Sequence, residues 1–115
     1  MTKAKIGAAL IGGGTANYIN RELIAGLAME YGIPTLGNFV GASEAGMLMS
    51  YGPDLVRLYR ITARYADQIL RGARPADLPV EQPSILTLSI NLKTAKALGI
   101  KFPNSILVRA DRVIE

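Results

Sequence analysis

Residues 46–83 read GMLMSYGPDLVRLYRITARYADQILRGARPADLPVEQP, and this stretch decides the fold. Met47, Leu48 and Met49 form an apolar run that predicts a short buried strand, with a sharp turn at Ser50-Tyr51-Gly52. Pro53 suits a first helical residue, where no backbone N–H is needed, so a long helix is predicted to start there. Asp54 complements the positive end of that helix, and Gly72 supplies the left-handed residue that closes its far end. Leu55, Leu58, Tyr59, Thr62, Ala66 and Ile69 recur at three- and four-residue spacing, with Val56, Ala63 and Leu70 widening the stripe, which predicts a buried face. Arg57, Arg60, Arg64, Gln68 and Arg71 form the opposite, solvated face. From Ala73 to Pro83 three prolines, Pro75, Pro79 and Pro83, predict an extended connector that cannot join the middle of a sheet.

Working outward, residues 6–11 (IGAALI) are a continuous apolar run stopped by Gly12-Gly13-Gly14, the pattern of a strand buried on both faces. Thr15 or Asn17 can cap the helix that follows. In it Ile19, Leu23, Leu27 and Tyr31 recur every four residues, Ile24 and Ala28 broaden the face, and Gly32 with Pro34 ends it. Residues 33–39 predict a second strand, and Gly41 to Ala45 has room for a turn or two. This alternation of strand and helix predicts an α/β domain: a parallel, Rossmann-like sheet flanked by helices with right-handed crossovers. Beyond the connector, Leu86, Leu88 and Ile90 alternate with Thr87, Ser89 and Asn91, as in a strand with one wet face. A short helix from Lys93 to Leu98 closes at Gly99, a turn opens at Pro103-Asn104, and the chain finishes on the apolar pair Val113-Ile114.

A chain of 115 residues, 50% hydrophobic, suffices for one domain with a core. It has neither cysteine nor histidine, which excludes disulfides, thiol nucleophiles, imidazole bases and the usual zinc ligands. The net charge of +4 is not accompanied by stacking aromatics interleaved with a basic groove, so no nucleic-acid partner is expected. Lys3 and Lys5 before the apolar run imitate a signal peptide, but the glycines end that run too early, and no stretch approaches the ~20 apolar residues of a membrane span. A soluble chain without an export address is expected.

In open parallel sheets ligands gather at the carboxyl ends of strands, which singles out Gly12 to Asn17, Asn38 to Gly41, and Ser50 to Gly52. Two readings of GGGTAN stand: backbone N–H groups of Gly13, Gly14 and Thr15 holding a carboxylate or phosphate, or a tight strand-to-helix turn and nothing more. A dinucleotide fingerprint fails because Asn17 occupies the third glycine position and Asn38-Phe39 stands where an acid is needed; a P-loop fails for lack of its lysine. Tyr51 reads either as a ring stacked on a ligand or as a core tyrosine at a turn. Ser50 has no base beside it, so its hydroxyl is expected to cap or to bond a ligand, not to attack one. The carboxylates are scattered singly, without the paired acids of hydrolytic chemistry or a hard-metal cage. No catalysis, cofactor or metal is expected.

The run LMSYGPDLVRLYRITARYADQILRGARPADLPVEQP, then LSINLKTAKALGIKFPNSILVRADRVIE, with NRELIAGLAMEYGIPTLGNF and EAGMLMSYG upstream, closely resembles the C-terminal portion of bacterial ABC-transporter substrate-binding proteins of the tryptophan/tyrosine-type group. The resemblance covers nearly the whole chain. It implies part of a type I periplasmic-binding-protein fold, in which two α/β lobes close over a small ligand. Residues 1–52 would belong to the second lobe, 53–78 would form the long helix and connector toward the first, and 79–115 the C-terminal crossover and tail. The resemblance implies a periplasmic, noncatalytic solute-binding role serving an ABC permease, with an amino acid or aromatic carboxylate as ligand. Thr15, Asn17, Tyr51 and Gly52 become the first ligand contacts, with Asn38 and Phe39 behind them. With a first lobe missing, the helical stripe is expected to pair with a second copy, giving a homo-oligomer by exchange of that helix or the strands after it. Two other classes remain open: a small nucleotide- or phosphate-binding α/β enzyme, and a free-standing oligomeric interaction domain.

Overall fold

A computed structural model describes residues 6–115, so Lys3 and Lys5 of the basic start lie outside the described residues. Five strands form one sheet in the order β1 (Ala9–Ile11), β2 (Thr35–Gly37), β3 (Met49–Pro53), β4 (Leu86–Asn91), β5 (Arg112–Ile114). The helices are α1 (Thr15–Ile19), α2 (Arg21–Glu30), α3 (Leu55–Leu70), α4 (Leu92–Ala97) and α5 (Asn104–Leu107). The mostly parallel α/β architecture is the expected one. One pairing departs from it: β3 and β4 are antiparallel, with Pro53 opposite Leu86. Residues 54–85 are therefore a single excursion that leaves and re-enters the sheet at the same edge, and a chain returning where it left must run backwards. Val113 and Ile114, read only as an apolar pair, lie in β5, parallel to β4.

The predicted strands are shorter or displaced. Residues 6–8 are outside β1, and Leu10 is 71% exposed because β1 is an edge strand with one open face rather than one buried on both. Residues 33–39 contribute only Thr35–Gly37 to β2. Met47 and Leu48 are buried as expected, but they precede the strand, and Ser50-Tyr51-Gly52 lies within β3 instead of forming a turn. Pro53 ends β3, where its missing N–H costs nothing because pairing with β2 has already stopped at Ser50. Asp54 is thus the N-cap of α3, its Oδ1 accepting from the N–H groups of Val56 at 2.9 Å and Arg57 at 3.3 Å. At the other end Gly72 has φ +100°, the left-handed geometry that lets Ala73 N donate back to Gln68 O.

The first helix is broken. Asn20, at φ −95° and ψ 17°, separates α1 from α2, and its Nδ2 donates to Ala16 O at 2.9 Å, competing with helical continuation. Neither Thr15 nor Asn17 caps it: Gly14 is the N-cap and offers no side chain. The face turned to the sheet is also rotated from the predicted one. Ala25 joins Phe39, Ala42 and Met47 in the core, with Ile11 and Ile24 against it, while Ile19, Leu23, Leu27 and Tyr31 are exposed.

A second buried group is polar. Ser43 Oγ lies 2.7 Å from Ser89 Oγ, 3.3 Å from Ser50 Oγ and 3.0 Å from Glu44 Oε2. Asn91 Nδ2 donates to Ser43 O, and Thr94 Oγ1 to Gly46 O. The face of β4 predicted to be wet is therefore buried at Ser89 and Asn91, because the turn at residues 41–46 folds over it.

Helix α3 stands apart. It has no buried residue, against the expectation of a covered stripe: Tyr59 is 72% and Leu70 87% exposed. Only Leu55, Leu58, Ile61 and Tyr65 are half-buried, on the side where the connector returns. The connector is extended apart from one 3-10 turn at Pro75–Asp77. The radius of gyration, 17.7 Å, exceeds the roughly 13 Å of a compact chain of about this length, consistent with a projecting arm.

The connector is strapped to α3 by Tyr65, whose phenol donates to Pro79 O at 2.7 Å, and by Arg64 on Glu81 at 2.6 Å. Desolvation, and then the nearby Glu81 charge, raise the Tyr65 pKa above the usual tyrosine value of 10.0. A raised folded-state pKa means the strap is intact below the ordinary value and is lost as pH climbs through the higher folded one. In a spectrophotometric titration Tyr65→Phe should remove one tyrosine step above the ordinary tyrosine value, and Glu81→Gln should bring that step to lower pH.

Candidate functional site

Three segments converge at the carboxyl edge of β1, β2 and β3. The glycine loop after β1 is braced from within: Gly12 O accepts from Gly14 N at 3.1 Å and from Asn17 Nδ2 at 2.9 Å. The loop after β2 is tied to its neighbour by Asn38 N donating to Ile11 O at 3.2 Å. The end of β3 presses against that loop, and only glycine permits it, since a Cβ on Gly52 would stand 2.1 Å from Asn38 O. Gly13 has a related role on the other side, where a Cβ would meet Asn38 Oδ1 at 2.8 Å. The Asn38 side chain thus lies over the glycine loop at the rim of the site.

Between these segments opens a cleft of about 570 Å³, within the ~300–1,000 Å³ usual for small-molecule sites. Gly13, Gly14, Thr15 and Tyr18 line one side, Phe39 the floor with Asn38 at the rim, and Pro53, Leu55, Val56 and Tyr59 the other side. None of these ten side chains is charged. The aromatic rings set the character of the cleft: Tyr18 meets Phe39 edge-to-face with centroids 5.5 Å apart, and Phe39 is 4% exposed, a fixed platform. Such a surface can hold a flat apolar ligand by ring contacts and orient it with the Asn38 amide, the Thr15 hydroxyl and the first-turn N–H groups of α1, which lack intrahelical partners. A separate depression of about 450 Å³ along Asp54, Val56, Arg57, Arg60, Ile61 and Arg64 belongs to one helix flank, with no second element converging on it.

Of the residues singled out in the sequence, Gly13, Gly14, Thr15, Asn38 and Phe39 line this cleft together. Four do not. Asn17 braces the loop, and the Gly14 N–H is turned onto Gly12 O and away from a ligand. Ser50 is 1% exposed, held in the Ser43 group beneath the sheet. Gly52 is buried under Asn38. Tyr51 is 51% exposed but outside the cleft, because strand alternation sends it to the face opposite its buried neighbours Ser50 and Gly52. Two further rings line the cleft beside Phe39: Tyr18, which is not among the sequence candidates, and Tyr59, which the sequence places only in the apolar stripe of α3. Tyr18 falls four residues after Gly14, so helical spacing from the suspected glycine loop was the available signal, whereas Tyr59 lies one turn beyond Leu55 in α3, outside the suspected segments.

A family model described as ABC transporter substrate binding protein matches residues 10–114. Among curated proteins there is no match to the chain. Among solved structures it is similar to a conserved domain protein from Vibrio cholerae, with 27% identity and a TM-score of 0.88 over 93% of this chain and 36% of that one. It is similar also to an ABC domain from Streptococcus pneumoniae solved in complex with L-Trp, with 31% identity and a TM-score of 0.82 over 96% of this chain and 38% of that one. A ligand-free, open substrate-binding protein with adhesive properties from Clostridium difficile shares the fold, with 24% identity and a TM-score of 0.63, over 96% of this chain and 37% of that one. The chain therefore spans little more than a third of the length of each of these structures.

The contact between Gly52 and Asn38 is open to a direct test. In Gly52→Ala the added methyl has only backbone to push against, so β3 and the loop must separate, with a stability loss of about 1–3 kcal/mol in urea unfolding. Amide chemical shifts at Asn38 and Phe39 should move more than those at β5, and equal or absent shifts would show that the loop does not rest on Gly52.

Proposed function

Because the chain belongs to the ABC transporter substrate-binding protein family, we propose that it contributes this cleft to the ligand site of the solute-binding component of an ABC importer. The ligand is an aromatic amino acid or related aromatic carboxylate, bound without catalysis and passed to an ABC permease on the outer side of the membrane. In the described residues no helix is long and apolar enough to cross a membrane. The observation that carries this reading is the uncharged aromatic cleft at the strand ends, made by Tyr18, Phe39 and Tyr59 with the Asn38 amide at its rim. The L-Trp complex of the Streptococcus pneumoniae neighbour supports the ligand class.

The test is thermal unfolding of this chain against L-tryptophan, L-tyrosine, L-leucine and ATP. Selective binding of the aromatic amino acids to the folded state raises the midpoint by mass action, by about 2.7 kcal/mol of stability at a hundredfold excess over Kd. Tyr59→Ala should reduce that shift for L-tryptophan, and Tyr51→Ala should leave it unchanged. A shift with ATP alone, or with none of the four, would overturn the reading.

The exposed stripe of α3 supports the division of the chain at residues 52 and 78, with residues 53–78 reaching toward a first lobe. In this chain by itself that stripe is covered by a second copy, which is the oligomeric expectation in physical form. Sedimentation at rising concentration should show a dimer that Tyr59→Glu with Leu70→Glu converts to a monomer. A monomer throughout in the unmodified chain would count against pairing through α3.

A further inference from the structure

Helix α1 carries a cleft wall with little to hold it in place. Its five residues include none that is buried, its N-cap has no side chain, and a helix of this length is marginal on its own. Yet Tyr18 has a defined position against Phe39. Two contacts from the first residue of α2 account for this. Arg21 Nη1 donates to Tyr18 O at 2.9 Å, and the guanidinium carbon lies 4.8 Å from the centre of the Tyr18 ring. The first contact fixes the backbone across the break at Asn20, and the second fixes the ring. The Arg21 side chain is 31% exposed, and its exposed partner Glu22 is 3.9 Å away, so the guanidinium is partly desolvated on the ring without being buried.

We propose that Arg21 is a positioning residue of the cleft, setting the angle of Tyr18 over Phe39 and so raising affinity for an aromatic ligand that it does not itself touch. It is absent from the cleft lining. Tyr18 thus has two contacts, the Arg21 guanidinium 4.8 Å from its ring centre and the Phe39 ring edge-to-face at 5.5 Å. An arginine here meets two demands at once: its planar fork reaches a carbonyl while its face lies on an aromatic. Among the described residues Glu22 reaches Arg21, and it serves as a control, because losing it leaves both contacts to Tyr18 in place.

This inference rests on the functional reading of the cleft, and the experiment separates the two. The chain contains no tryptophan, so indole fluorescence reports added L-tryptophan alone. L-Tryptophan is titrated into the unmodified chain, Arg21→Met, Arg21→Lys and Glu22→Ala, and the aromatic proton resonances of Phe39 are recorded without ligand. Arg21→Met should weaken binding by about three- to tenfold and shift the Phe39 resonances, with the thermal midpoint nearly unchanged. Arg21→Lys, which keeps the cation and a donor, should recover part of both effects, and Glu22→Ala should match the unmodified chain. Unmoved Phe39 resonances in Arg21→Met, or a loss that Arg21→Lys does not recover, would overturn the positioning role. If the unmodified chain fails to bind L-tryptophan, the functional reading falls and the Phe39 resonances still decide whether Arg21 sets the ring.

Discussion

The hydroxyl of Ser43 is the point at which this small fold is tied together. It brings a turn after β2 within hydrogen-bond distance of Ser50 on β3 and Ser89 on β4, segments separated by up to 46 residues. The apolar core beside it is thin: Ala25, Phe39, Ala42 and Met47, with Ile11 and Ile24 against them. A sheet with so little to bury gains definition from polar groups that are satisfied only in one arrangement. No buried side-chain nitrogen or oxygen among the described residues lacks a partner, which is the condition for such a group to favour a unique structure instead of weakening it. Arg112 on Glu44, at 2.6 Å, extends the same tie to β5.

From this anchored centre the cleft follows by geometry. β3 outruns its pairing with β2, leaving its last residues free to press on the loop after β2 and to launch α3. The same over-long strand therefore supplies both the support beneath the floor, through Gly52, and the opposite wall, through the helix it starts. The glycine loop contributes less as a source of donors than its composition suggests, since one of its amides and the Asn17 side chain are spent on bracing Gly12. Its role is to bring α1 and Tyr18 to the rim.

Where residues act on near neighbours in the chain, the sequence was legible. Asp54 and Gly72 bound α3, Gly99 with positive φ follows α4, and the prolines keep the connector out of the sheet. Where the cause lies far away in sequence, it was not. Ser89 and Asn91 look wet in an alternating strand because the turn that buries them is almost 50 residues upstream. The antiparallel return of β4 depends on the path of an excursion whose ends meet at Pro53 and Leu86, which no local pattern encodes. The stripe on α3 is apolar as its periodicity says, yet nothing within the chain buries it, since burial depends on a partner surface and periodicity records only the demand for one. Likewise the cleft loops were legible from the strand-end rule, whereas Tyr51 falls inside β3 and outside the cleft lining because the strand continues four residues past its apolar run, to Pro53.

Helix α3 joins the sheet only through β3 going out and β4 coming back, and at 16 residues it is a rod of about 24 Å. Its base lies at the cleft and its tip, near Leu70, lies in the open. Rotating such a rod by about 10° moves Tyr59, roughly 6 Å from the pivot, by about 1 Å, and moves the tip by about 4 Å. The length of the rod alone thus multiplies any change of angle at the cleft end about fourfold at the tip.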